Sequence, residues 1–199
     1  MAEPDVFQLA DRALARVVAR IEPAQWDMIL PAAFATRSRP EPPSVRALVN
    51  YHAYDDAWVP DVLAGLTMDD AGSDKFDGDL LGERPAASFE AIVERACAAA
   101  ATVTDLDATA HLSFGDFTVR EYFWQISQFR ALRAHDIARE VGVDPDLSEE
   151  LVQGIWDEVS PHAEEWRSMG VFPAAVPVPD DAPLLARLLG LTGRQPDAA

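Results

Sequence analysis

The chain has 199 residues, of which 16 are lysine or arginine and 34 are aspartate or glutamate, so its formal net charge is −18. Nucleic acids and anionic membranes both require a basic protein surface, and this acidity argues against either as a partner. The single cysteine, Cys97, excludes an internal disulfide and a multi-thiolate metal site. No apolar run approaches the roughly 18 residues that cross a bilayer, and the acidic N-terminal stretch is not typical of a signal peptide. We therefore expect a soluble, cytoplasmic protein.

Four long segments with helical periodicity occupy the first 142 residues. Apolar side chains recur at steps of three and four, which predicts helices over residues 5–22, 44–64, 88–102 and 118–141. Ser44 and Ser88 are typical helix N-caps, and Gly142 is typical of a helix end. The proline-rich stretch 37–43 and the aspartate-rich stretch 69–84 predict loops.

The C-terminal part predicts further helices around extended, proline-spaced chain. The stretch TAHLSFGDF, residues 109–117, alternates weakly around Gly-Asp and allows one short hairpin. A fifth helix is expected from Asp146 or Ser148 to about Met169, and a short last helix over 182–191. The whole pattern favours an all-α fold. We expect a four-helix bundle over residues 1–142 and a helical extension over 143–199 that packs on the same domain.

Few residues suggest chemistry by spacing alone. We find no glycine-rich phosphate loop and no G-x-S-x-G nucleophile motif. His52 and Asp56 stand four apart on the second predicted helix and could share a ligand, whereas His135 and Asp136 are adjacent and point in different directions. Partly exposed helix histidines beside acids explain this pattern better than a metal site does.

Four stretches resemble a known family: LVNYHAYDDAWVPDVLAG, FDGDLLGERPAASF, HLSFGDF followed by EYFWQ, and GVFPAAVPVPDDAPLLARLLGLTGR. They are similar to an actinobacterial family related to the metal-binding domain of mycothiol-dependent maleylpyruvate isomerase, in the DinB-like superfamily. The resemblance covers nearly the whole chain, and the C-terminal stretch is its most specific part. It implies a DinB-like four-helix bundle and an actinobacterial source.

The resemblance also implies a position for a metal site. Members of the superfamily hold a divalent ion such as zinc with one histidine on helix two and a pair of ligands four apart on helix four. In this sequence the corresponding positions are Tyr51, Phe129 and Arg133, and an arginine would repel a cation. His52 and His135 are displaced from these positions by one and two residues, and each helical step turns a side chain by about 100°. We therefore predict a degenerate, metal-free site.

The first functional hypothesis is a pocket that binds or acts on a small anionic or polar molecule without a metal or cofactor. We expect Tyr51, Asp55, Trp58, Phe129 and Arg133 to line it. Arg133 would hold an anionic group and pair with Asp55, and Tyr51 would give a hydrogen bond or a proton. Tyr51 and Arg133 are thus the candidate catalytic residues, for an activity of isomerase, transferase or lyase type.

Two alternatives stay open. The protein could be a metal-dependent, mycothiol-using transferase or isomerase, in which His52, Asp56 and His135 are displaced ligands of zinc or another divalent ion. It could instead be a non-catalytic protein that forms a homodimer through its bundle. Metal content separates the first alternative from the metal-free hypothesis, and an open pocket of roughly 300 Å³ or more would favour ligand binding over a purely structural role.

Overall fold

The computed structural model describes residues 1–35 and 40–196, and it is mostly helical with one small sheet. The helices are α1 Glu3–Val18, α2 Val45–Leu63, α3 Met68–Ala71, α4 Pro85–Ala100, α5 Val119–Val141, α6 Glu149–Val159, α7 Ala163–Ser168 and α8 Leu184–Leu191. The strands β1 Thr109–Leu112 and β2 Gly115–Thr118 pair antiparallel as the short hairpin that the sequence allowed. Within the described ranges, no helix is long and apolar enough to span a membrane.

The ends of α2 and α5 follow from the capping residues. The Ser44 hydroxyl accepts a hydrogen bond from the Ala47 amide at 3.1 Å, as predicted. Thr118 caps α5 in the same way, accepting from the Glu121 amide at 3.2 Å, while the Glu121 carboxylate accepts from the Thr118 amide at 2.8 Å. This capping box satisfies two amides that would otherwise lack partners. Gly142 ends α5 with φ of 75°, in the left-handed region that favours glycine.

Two predicted boundaries are wrong. The helix α4 begins at Pro85 rather than after Ser88, because proline is preorganised for the first helical position. The Ser88 amide already donates to the Arg84 carbonyl at 2.9 Å, so Ser88 lies inside the helix. The helix α1 ends at Val18 rather than near residue 22. After Val18 the helical pattern is lost, and the Ile21 amide donates to the Val18 carbonyl, only three residues back.

The predicted fifth helix is two helices. Ser148 caps α6, as one of the two predicted starts required, but α6 ends at Val159 and α7 begins only at Ala163. Pro161 lies between them and has no amide hydrogen to continue the helix. The stretch 69–84 is mainly loop apart from the single turn of α3. Of the proline-rich stretch 37–43, residues 37–39 lie outside the described residues.

The packing of the long helices leaves a gap between α2 and α5. Close backbone contacts join α1 to α4 and α5, and α2 to α4, while α6 packs on α1 and α5, and α8 on α6. The backbones of α2 and α5 approach each other less closely, so large side chains meet between them. The hairpin contacts both helices at one end of this gap. Four of the five residues predicted to form the site lie at this gap.

Candidate functional site

A cavity of about 840 Å³ opens between α2, α5, the hairpin and α7. Four residues that the sequence predicts for the pocket line it: Tyr51, Asp55, Trp58 and Phe129. Further aromatic residues complete the wall, namely Tyr54, Phe114, Phe117, Tyr122, Trp124 and Trp166. We call this space the aromatic cavity.

Contacts between neighbouring rings hold the wall of the aromatic cavity in place. Tyr51 and Phe129 meet edge to face across the gap, with ring centroids 6.4 Å apart. On the α7 side, the ring of His162 lies between those of Trp124 at 5.0 Å and Trp166 at 5.7 Å. Such aromatic pairs contribute roughly 0.5–1.5 kcal/mol beyond simple burial. The cavity is therefore bounded by rings that support one another.

The polar side chains of the aromatic cavity include carboxylates, two histidines and two amides. Its charged lining residues are the carboxylates Asp55, Glu121 and Glu165, and the described residues of the wall include no lysine or arginine. The mouth is apolar, with four exposed side chains: Leu66 at 39%, Phe114 at 68%, Met169 at 64% and Val171 at 50% exposure. We call these four the apolar rim.

Directly behind the cavity wall, α2 and α5 enclose a charged cluster. The Arg130 guanidinium is fully buried, and its Nε donates to Oδ1 of Asp56 at 2.7 Å. Its Nη1 lies 3.0 Å from Nδ1 of His52, and its Nε lies 3.6 Å from Oδ1 of Asp11 on α1. We call Asp11, His52, Asp56 and Arg130 the buried ion cluster. Asp55 connects the two regions, because its carboxylate lies 3.8 Å from Arg130 and also lines the cavity.

Burial shifts the proton affinities of the buried ion cluster. It raises the pKa of Asp11 well above the ordinary value, and the neighbouring Asp56 raises that pKa further. Burial also raises the pKa of Asp56, although Arg130 opposes this shift. The pKa of His52 is lowered by burial and by Arg130, so His52 is neutral and its Nδ1 can accept from the guanidinium. One guanidinium thus faces two carboxyl groups, of which Asp11 is the more easily protonated.

Arg133 does not occupy the position that the sequence suggests. Its Nη1 lies 3.3 Å from Asp136, and its guanidinium lies over the rings of Phe34 at 5.2 Å and Phe129 at 5.4 Å. Arg194 holds the same Asp136 carboxylate with two hydrogen bonds of 2.8 Å. Within the described ranges Arg133 makes no ion pair with Asp55 and does not line the aromatic cavity. The predicted Asp55–Arg133 pair is therefore wrong, and Arg130 is the arginine near Asp55.

The residues at this position do not fit a divalent metal ion. The alternative ligands His52 and Asp56 do come together, but a guanidinium lies between them and would repel a cation. His135 is buried on α5 and lies 3.6 Å from Asp136 instead of joining His52. In the described part of the chain, no group of three histidine, cysteine or acidic side chains could hold a metal ion.

Sequence reasoning missed Arg130 and Asp11, the two members of the cluster that do not lie on α2. One signal could have found them. Phe123, Arg130 and Ile137 are spaced seven apart and all fully buried, and Asp11 interrupts the apolar face of α1. When an acidic and a basic residue both occupy core positions of two helices, they are expected to pair, because an unpaired buried charge is strongly unfavourable.

Comparison with known proteins gives no match to a family model, to a curated protein or to a solved structure. The resemblance to DinB-like proteins therefore stays a prediction from the motifs quoted above.

Proposed function

We propose that this protein binds a small molecule, without a metal, in the aromatic cavity. The observation that carries the proposal is the cavity itself: about 840 Å³, at the gap where the resemblance places a functional site, with Tyr51, Asp55, Trp58 and Phe129 in its wall. Ligand pockets usually measure about 300–1,000 Å³ and combine mainly apolar walls with a few polar groups. Both features are present here.

The architecture behind this proposal is a DinB-like four-helix bundle of α1, α2, α4 and α5 in a cytoplasmic protein. The contacts of α1 with α4 and α5, and of α2 with α4, support it. In such a bundle, ligand sites are built from side chains on facing helices. The separation of α2 from α5 then creates the space that a ligand fills.

The chemistry of the site supports a metal-free role. Arg130 supplies the positive charge that the carboxyl groups of the buried ion cluster require, and it leaves His52 and Asp56 engaged with a guanidinium. We expect protein purified without a histidine tag to contain zinc, nickel or iron at far below one equivalent. Stoichiometric metal that is lost on His52→Ala substitution would contradict the metal-free role and favour the mycothiol-dependent alternative.

The geometry favours a ligand with an apolar body and a polar group. The anionic ligand expected from Arg133 fits less well. Arg133 does not line the aromatic cavity, and its guanidinium is engaged with Asp136 and the ring of Phe129. The groups that meet a ligand are aromatic faces, carboxylates, and the amides of Gln125 and Gln128. A ligand with an aromatic or aliphatic body matches this wall.

The methionines offer a direct test, because the chain has four. Met68 and Met169 line the aromatic cavity, whereas Met1 and Met28 do not. In a spectrum of protein labelled with ¹³C at the methionine methyl groups, titration with 4-phenylbutanol should shift the Met68 and Met169 signals saturably and leave the Met28 signal in place. The variant Ile126→Trp, which fills the cavity, should abolish these shifts, and Ile29→Trp at an exposed site should not.

Two results would overturn the proposal: no saturable shift, or shifts of equal size at all four methionines.

A dimer is the second candidate, since association through the apolar rim would bury Leu66, Phe114, Met169 and Val171. Sedimentation equilibrium distinguishes it. A dimer that dissociates on Phe114→Ser substitution would support that role, and a monomer at all concentrations would exclude it.

A further inference from the structure

We infer that the ligand of the aromatic cavity is an aromatic compound, with a planar ring rather than a saturated body of the same size. This inference rests on the proposed function and names the chemical class that the same site selects. Two features of the described wall carry it: the concentration of aromatic rings around one space, and the two orientations in which those rings meet each other.

Aromatic side chains are concentrated at this one space. All three tyrosines of the chain and three of its five tryptophans line the cavity together with three phenylalanines, namely Tyr51, Tyr54, Tyr122, Trp58, Trp124, Trp166, Phe114, Phe117 and Phe129. Several of the aliphatic lining residues, Leu66, Met169 and Val171, belong to the apolar rim at the mouth. A ligand that passes the rim is therefore surrounded mainly by rings.

On the α7 side, the rings of Trp124, His162 and Trp166 form a column. The interplanar angle is 32° between Trp124 and His162 and 19° between His162 and Trp166, at centroid distances of 5.0 and 5.7 Å. The buried ring of Phe172 contacts Trp166 at 5.9 Å and helps to fix its orientation. We call Trp124, His162 and Trp166 the ring column, and all three line the cavity. A planar ring in the cavity can pack on this column by the same stacked contact.

On the α2 side, the rings meet edge to face. The interplanar angle is 83° between Tyr51 and Phe129 and 71° between Tyr54 and Trp58, at centroid distances of 6.4 and 6.2 Å. The negative face and positive edge of an aromatic ring favour both offset-stacked and edge-to-face partners. A planar aromatic ligand can therefore use the ring column and the rings of α2 together. A saturated ring lacks this charge distribution and gains only from burial.

Two probes of similar size test the inference: 4-phenylbutanol and 4-cyclohexylbutanol, which share the same chain and hydroxyl group. Each is titrated into the full-length protein, and the methyl signals of Met68 and Met169 give the Kd. The saturated ring is the more hydrophobic of the two, so burial alone would favour the cyclohexyl compound. Contacts between rings should reverse this order and make 4-phenylbutanol bind about five- to tenfold more tightly.

Leucine substitutions identify the rings responsible. Trp124→Leu and Trp166→Leu each remove a ring from the column and should reduce the preference for the phenyl compound by about twofold or more. Trp156→Leu is the matched control, because Trp156 packs against Arg187 at 4.7 Å and does not line the cavity. It should leave the preference unchanged. The preference is the ratio of two Kd values measured on the same variant, so a partial loss of folded protein affects both values equally.

The outcomes separate the two claims. If neither compound shifts Met68 and Met169 saturably, the proposed binding function fails and the inference fails with it. If both bind equally, or the cyclohexyl compound binds more tightly, the cavity is a binding site but the aromatic inference is overturned. A phenyl preference that neither Trp124→Leu nor Trp166→Leu reduces would also overturn it, because the ring column would then not carry the selection. An equal reduction in Trp156→Leu would do the same, since that ring lies outside the wall.

Discussion

The aromatic cavity and the buried ion cluster are neighbours built from consecutive residues, yet they are opposite in character. Tyr51 and Asp55 face the cavity, while His52 and Asp56, each one position further along α2, face Arg130. One step of about 100° along a helix is enough to separate a solvent-accessible wall from a fully buried centre. The difference teaches that the same two helical turns carry two functions: one face holds the helices together, and the other leaves space between them.

The most severe test of this comparison removes the guanidinium. Arg130→Met should lower the free energy of unfolding by about 3–5 kcal/mol, because it leaves the buried Asp56 carboxylate without its counter-charge. Urea denaturation monitored by circular dichroism measures the change. The double variant Arg130→Met with Asp56→Leu should recover most of the loss, since an apolar pair of similar volume needs no compensation.

Arg16 provides the matched control. It pairs with Asp146 at 3.0 Å, but 47% of its side chain is exposed, so Arg16→Met should change the free energy of unfolding by less than about 1 kcal/mol. Equal losses for Arg130→Met and Arg16→Met would contradict the view that the buried ion cluster supports the fold. A double variant that is no more stable than Arg130→Met alone would place the partner of Arg130 elsewhere.

The sequence predicts the parts of this site that local interactions decide, and it does not predict those that depend on long-range packing. Helix starts at Ser44 and Thr118 are local events, decided by a side chain and the amides within three residues, and the sequence predicts α2 and α5 well. The members of the cavity wall on these helices were also predictable, because Tyr51, Asp55 and Trp58 share one face of α2.

The partner of Asp55 was not predictable in the same way. Arg133 and Arg130 are three residues apart on α5 and differ by only about 60° around the helix axis. Which of them faces α2 depends on the rotation of α5 against α1, and on Arg194 from the C-terminal segment, which holds Asp136 beside Arg133. Long-range packing sets the rotation of α5 and the contact of Arg194 with Asp136. The spacing of residues within α5 predicts neither of them. Long-range packing also decides the positions of His52 and His135. His52 belongs to the buried ion cluster, and His135 lies beside Asp136 instead.

A buried carboxyl group without a guanidinium sharpens the comparison. Glu158 on α6 is 7% exposed, and its two oxygens have no hydrogen-bond partner in the described part of the chain. Burial, reinforced by the charges of Glu3 and Asp157, raises the pKa of Glu158 to about 8. The folded protein therefore keeps this proton between the ordinary glutamate pKa of about 4.3 and pH 8, whereas the unfolded chain has lost it.

The consequence for stability has a definite sign. Because the folded state binds more protons than the unfolded state in that window, the contribution of Glu158 falls as the pH rises from about 4.3 to 8 and is level above it. Glu158→Gln should remove this decline and make the protein more stable than the wild type at pH above 8. The exposed Glu149 on the same helix is the control, and Glu149→Gln should leave the slope unchanged. If the stability of the wild type rose with pH between about 4.3 and 8, and Glu158→Gln removed that rise, the raised pKa of Glu158 would be contradicted.

The smallest expected effect tests the comparison most directly, since it uses two adjacent residues of identical chemistry. Asp56→Asn weakens a charge-assisted pair that is fully buried, so it should lower the free energy of unfolding by about 1.5–3 kcal/mol. The side chain of Asp55 is 29% exposed and that of Asp56 is fully buried, so Asp55→Asn should lower stability less than Asp56→Asn does. The order reverses for ligand binding: Asp55→Asn, which alters the wall of the aromatic cavity, should weaken the binding of 4-phenylbutanol, and Asp56→Asn should retain it as long as the protein is folded. Two variants that differ by one position and exchange their effects on stability and on binding would establish that the two faces of α2 act separately. If both variants lower stability and binding in the same proportion, the aromatic cavity and the buried ion cluster are one coupled site, and the Asp55 carboxylate belongs to the cluster as much as to the cavity.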